Sequence, residues 1–196
     1  MDPICPVDCS TNLPVVGFDN CNPNAVASEI NKLYIAKPSS APFTDWESPV
    51  EWGKRLSETD TVPGAPTNTT PVGDLIRPLT VIGDKPAPAS VVKELSNQRR
   101  KPIRKDHTLN FTIDEITPEN LAFARASECG SVVKFWYGTL GDMLAGGNEG
   151  IQNATLTMDV VLARGTDEIV AINGTLVWRS KFTEEFTLEN PIAETV

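Results

Sequence analysis

Gln152–Phe182 reads QNATLTMDVVLARGTDEIVAINGTLVWRSKF. In its first part Ala154, Leu156, Met158, Val160 and Leu162 share one face, and Asn153, Thr155, Thr157 and Asp159 share the other. In Glu168–Phe182, Val170, Ile172, Leu176 and Trp178 fall on one side. A period of two marks a strand with one buried face. Arg164, Gly165, Thr166 and Asp167 lie between the two runs as turn residues, so the stretch predicts a β-hairpin. A strand of about thirteen residues spans ~40 Å at ~3.3 Å per residue, well beyond the usual five or six residues. Such a hairpin is expected to outreach its own core, into a barrel or toward a neighbouring subunit.

Upstream, Leu109, Phe111 and Ile113 alternate with Thr108, Asn110 and Thr112, which predicts a half-buried strand. Thr117 then serves as an N-cap with Pro118 at the first helical position. The helix is expected to reach about Glu128, ahead of Gly130. Leu121, Ala122, Phe123, Ala124 and Ala126 spread around its circumference, so more than one side should be covered, within the domain or by a partner. Ser131–Gly138 is a further β-rich run and Ala145–Gly150 a flexible glycine turn. Ser28–Ala36 and Leu75–Gly83 read as strands, with Pro78 marking an edge or bulge in the second. A short strand is expected between Pro86 and Leu95. Thr44–Glu58 reads as a short helix with Ser48 as N-cap, Pro49 first, and Glu51 closing a capping box. Trp46 and Trp52 would pin it to the body, and Thr59–Thr70 would follow as a loop.

The chain is therefore expected to be mainly β: a β-sandwich or small β-barrel with a flanking short α-helix, a long β-hairpin and an extended N-terminal arm. Residues 1–27 would be the arm, 28–185 the domain and 186–196 a C-terminal tail. The 196 residues suit one domain. Of the 16 prolines only Pro191 follows Pro118, so the first half should be loop-rich and the second regular.

The formal charge of −9 argues against a general duplex-DNA binder. Met1–Thr11 has neither a basic segment nor an apolar run, and no stretch matches the ~18 apolar residues of a spanning helix. A cytosolic site of synthesis, with reduced thiols, is the expectation. Cys5 and Cys9 have C-x3-C spacing, but with Cys21 and Cys129 they make no second matching pair, so zinc is not expected.

Catalytic signatures are lacking. There is no G-x-S-x-G, H-E-x-x-H or C-x-x-C. The glycines at 146, 147 and 150 lack the Lys-Ser/Thr of a phosphate loop. The single histidine, His107, is expected to face solvent from a strand. Asp114 and Glu115 are neighbours whose side chains would point apart. No catalytic residue, cofactor or metal is assigned, and the chain is not read as an enzyme.

Arg99, Arg100, Lys101, Arg104 and Lys105 place five cations in seven residues; the rest of the chain holds 12 basic and 26 acidic residues. A basic loop on an acidic body points to contacts between copies, and no aromatic residues interleave as they would in a nucleic-acid strip. These five residues, with Leu121 and Phe123 on the helix, are the candidate assembly interface.

Leu109–Ala126, LNFTIDEITPENLAFARA, resembles a segment of the tail tube (major tail) proteins of tailed bacteriophages. In these an alternating strand ends in an acidic residue, and a Thr-Pro-Glu-Asn-type cap and a short Leu/Ala helix follow. The order that follows is also similar, and the likeness spans Ile76–Arg179. It implies a sandwich or small barrel whose copies form rings, usually hexameric, stacked into a tube around the channel for the genome. The implied partners are copies of the chain and other virion tail proteins. DNA would pass through the lumen without specific binding, and no membrane is involved. The implied location is the virion tail, with host cytoplasm during assembly. The alternative is another virion protein on a similar sandwich: a ring, neck, tail-terminator or capsid-decorating protein. A monomeric binding module, with Trp136 and Tyr137 on a ligand face, is a further reading.

Overall fold

The computed structural model describes residues 26–56, 74–162 and 169–192. The arm at 1–25, with Cys5, Cys9 and Cys21, lies outside the described residues, as do the loop at 59–70 and the turn at 164–167.

The elements, in chain order, are β1 (Ile30–Ala36), α1 (Pro49–Leu56), β2 (Arg77–Asp84), β3 (Ala89–Glu94), β4 (Arg100–Ile113), α2 (Pro118–Ser127), β5 (Ser131–Thr139), β6 (Leu144–Ala145), β7 (Ile151–Val161), β8 (Ala171–Ser180) and β9 (Phe186–Thr187). The sheet runs β1-β2-β4-β8-β7-β5, and β5 pairs back onto β1. The chain is thus mainly β, built on a closed six-stranded antiparallel barrel. Because β1 is laddered on both edges, Tyr34 opposing Pro78 on one side and Trp136 on the other, there is one closed sheet instead of two facing ones. Closure leaves these strands with few exposed edges.

The interior is filled by the alternate residues of each strand. Leu33, Ile35, Leu79, Val81, Leu109, Phe111, Ile113, Val133, Phe135, Ala154, Leu156, Met158, Ile172, Leu176 and Trp178 are buried there. A side chain at Gly174 would collide with the Phe111 ring, so this inward position on β8 has to be glycine. The hairpin read from sequence is present: Thr155 opposes Val177 and Val161 opposes Ala171. Its core face is buried through Met158, whereas Val160, Val161 and Leu162 are exposed, so its end projects past the core as expected. At Pro78 only the β1 side of β2 is laddered, because β2 meets β4 only over Ile82–Asp84. Proline's missing N–H therefore falls at an edge.

A second layer covers the outside of β1 and β5. Tyr34, Ala36, Phe43, Trp46, Trp52, Ile76, Trp136 and Leu144 form a separate core cluster beneath α1. Trp46 and Trp52 hold α1 as predicted, and Trp52 Nε1 donates to Trp46 O at 2.7 Å. Glu51 does not close a box on Ser48: its Oε2 accepts from the backbone N–H groups of Thr44 (3.1 Å) and Asp45 (3.3 Å), tying down the loop before the helix.

The glycine run after β6 is a mould and not a loose turn. Trp136 Nε1 donates to Gly147 O at 2.8 Å. A Cβ at Gly146 or Gly150 would enter the Trp136 ring, and both glycines have positive φ. The segment given to a tail returns to the body, where β9 pairs with β6.

Candidate functional site

The basic run is not a loop. Only Arg99 lies in the connection; Arg100, Lys101, Arg104 and Lys105 begin β4, paired with β3 from Ala89 opposite Asp106 to Glu94 opposite Arg100. β8 reaches β4 only from Lys105 onward. Over Arg100–Arg104 the hairpin is therefore two-stranded and leaves the barrel with both faces exposed. Val92 and Ile103 are 47% and 51% exposed. A two-stranded ribbon without a packed face has marginal stability on its own.

Its charges are only partly matched. Arg100 meets Glu94 at 3.2 Å with both side chains exposed, and Arg104 and Arg179 lie 3.3 and 3.4 Å from the same Asp106 oxygen. Exposed pairs of this kind contribute only ~0–1 kcal/mol. Lys93 stands opposite Lys101 in the ladder. That like-charge pair disfavours the isolated hairpin, and an anionic partner would relieve it.

α2 forms where its cap was read: Asn120 N–H donates to Thr117 Oγ1 at 3.1 Å, and Gly130 takes positive φ just beyond the end. Only one face is covered. Ala124 and Ser127 are buried and Phe123 packs against the barrel core, while Leu121 is 38% exposed and Ala122 and Ala126 face outward. The structure thus separates the two helix candidates. Phe123 is a partly buried residue packed on the barrel core and Leu121 a surface one, both on a different element from the basic hairpin.

His107 is not solvent-facing; it is 1% exposed and sits inside the barrel. It stacks on Trp178 at 5.0 Å, and its Nδ1 lies 3.2 Å from Glu184 Oε1 without hydrogen-bond alignment. The other Glu184 oxygen accepts from Lys85 Nζ at 2.8 Å. This cluster fastens the segment after β8 to the barrel. The signal for His107 was in the sequence, since it shares parity with Leu109, Phe111 and Ile113. Glu184 gave none, because it lies outside any periodic run.

Burial is the main cause holding His107 below its ordinary value of 6.5; Glu184 opposes this, and Lys85 and Lys105 reinforce it. Below pH 6.5 the unfolded chain therefore takes up a proton that the folded chain resists. Stability contributed by neutral His107 is full above that pH and is lost as pH falls toward the depressed folded value. His107→Gln should flatten the decline between about pH 7.5 and about pH 5.5. Urea midpoints for both proteins across that range check this, and parallel curves would contradict it. Burial also raises Tyr137, helped by Glu184, and lowers Lys134, whose Nζ donates to Ser40 O at 2.7 Å.

Trp136 and Tyr137 form no shared exposed face: both are buried, Trp136 in the outer cluster and Tyr137 in the barrel core, where it lines a cleft beside Ile30 and Phe186. Among the described residues no group of three His, Cys, Asp or Glu could hold a metal, and Cys129 is an exposed free thiol. No helix among them is long and apolar enough to cross a membrane. No family model matches the chain, and no curated protein matches it.

Proposed function

We propose that the chain is a virion structural protein that self-assembles into stacked rings, the hexameric rings of a tail tube around the channel through which DNA leaves. One observation carries this reading: β4 is 14 residues long and ends in opposite charges. It begins in the exposed hairpin, where Arg99 precedes it and Arg100, Lys101, Arg104 and Lys105 lie within it. It runs into Asp114 and Glu115, with Glu119 in the first turn of α2. At ~3.3 Å per residue these ends are roughly 45 Å apart. A strand basic at its start and followed by carboxylates at its end favours head-to-tail contact between identical copies, the heterologous geometry that produces rings and stacks. The net charge of −9 suits a lumen to which DNA does not adhere. A ring, neck, tail-terminator or capsid-decorating protein is the second reading, favoured if association stops at a single ring.

Sedimentation velocity over a range of concentrations and salt tests self-association. Oligomers that grow with concentration and dissolve with salt are expected; a salt-independent monomer would exclude both readings.

The helix supplies a separate check. Phe123→Asp should cost on the order of 2–4 kcal/mol, because it removes core packing and brings a carboxylate to that site. Leu121→Asp should change stability by less than about 1 kcal/mol yet reduce assembly. Chemical denaturation and sedimentation of the two variants separate these roles. Unchanged assembly in a folded Leu121→Asp protein would remove α2 from the interface.

A further inference from the structure

A cleft of about 610 Å³ opens at one mouth of the barrel, where β1 begins and β2 and β5 end. Barrel mouths are common ligand sites, and this volume falls within the ~300–1,000 Å³ typical of them. Ile30 and Tyr137, both buried, form its deep wall, and Met143 and the exposed Phe186 line it further out. Tyr137 and Phe186 meet edge to face with ring centres 6.3 Å apart, so the cleft has two aromatic walls.

The polar lining is short of a cation. Among the described residues Lys85 is the one basic residue there, and the buried Glu184 already holds its Nζ at 2.8 Å. Glu29 and Asp84 line the same cleft, and neither carboxylate has a hydrogen bond or ion pair among the described residues. Ile30 opposes Gly83, so the two acids follow at adjoining positions where the β1–β2 ladder ends. Like charges so placed disfavour one another, and a bound cation relieves this. Thr139, which opposes Ile30 from β5, is 9% exposed and lines the cleft, and its Oγ1 has no hydrogen-bond partner among the described residues. A primary ammonium group brings three N–H donors for such acceptors, and aromatic faces attract it. An apolar body attached to it would cover Ile30 and Met143.

We propose that this barrel mouth is a binding site for a small organic ammonium ion with an apolar body, a role that does not depend on assembly. Phenethylamine is a suitable probe, with phenethyl alcohol and phenylacetate as uncharged and anionic controls, titrated calorimetrically into the full-length chain. Saturable binding of one phenethylamine per chain is expected, with the alcohol weaker by about tenfold or more and phenylacetate silent. Glu29→Gln and Asp84→Asn keep the size of each side chain at exposed positions, so the circular dichroism spectrum should be retained. Each should weaken phenethylamine by about tenfold, and the pair together should abolish binding. Absence of saturable phenethylamine binding, equal affinity for the alcohol, or unchanged binding in the double variant would each overturn the proposal. Saturable binding of calcium alone, lost in the same double variant, would overturn it in favour of a metal site. Should the double variant fail to fold, the single variants and the alcohol comparison decide the matter.

Discussion

Trp136→Ala is expected to lower the stability of the chain by ~3–5 kcal/mol, the range for deleting a fully buried tryptophan. Trp136 is fully buried and joins elements that the barrel alone does not hold. It meets Phe43 edge-on at 5.3 Å and Trp52 edge-on at 5.6 Å, so it anchors α1 and the loop before it. Its indole N–H reaches Gly147 O, and the glycines at 146 and 150 are shaped to its ring. Neighbours that need positive φ cannot close readily over the space left behind, so the cavity should persist. Urea denaturation followed by fluorescence and by circular dichroism measures the loss. A change below about 1 kcal/mol would mean that the second layer contributes little to stability. The barrel interior should survive, because Trp136 faces away from it.

The second large effect concerns assembly. Replacing Arg99, Arg100 and Arg104 together with Gln is expected to leave the fold intact and to abolish or strongly shorten higher-order assemblies. In the isolated chain these residues do little: Arg99 Nε reaches only Ser96 O at 3.3 Å, and Arg100 and Arg104 form exposed ion pairs. Their removal should therefore change the monomer by no more than about 1 kcal/mol. Between copies the sum differs. An acidic body repels itself, and each contact of ~0.2–1 kcal/mol recurs at every interface of a stack. High salt should act on the wild type in the same direction by screening. Sedimentation of both proteins at low and high salt checks this, beside a DNA-retention assay. Unchanged assembly with lost DNA retention would reassign the hairpin to nucleic-acid contact.

What could be read from the sequence follows the reach of each physical signal. Alternation located β7, β8 and the inner part of β4, because each has one face in the barrel and one outside. Local chemistry located α2, where Thr117, Pro118 and Gly130 act within a few residues of the helix. Closure of the barrel was not legible, since the pairing of β1 with both β2 and β5 depends on partners far apart in the chain. Arg100–Lys105 did not look like a strand because neither face is buried; alternation appears only where burial enforces it. The glycines at 146 and 150 read from the sequence only as a flexible turn, and their positive φ came from the fold. That they enclose Trp136 required the fold. As for the assembly candidates, the basic residues lie together on one hairpin, whereas Leu121 and Phe123 lie on a separate helix with different exposures.

Copies of this chain are proposed to associate head to tail through the β3–β4 hairpin. Negative-stain microscopy of the purified full-length chain, imaged over rising concentration at low salt, tests it most directly. Rings that stack into tubes at high concentration, and are absent for the triple Gln variant, are the expected result. Featureless monomers at every concentration, or tubes of equal length in the variant, would contradict it.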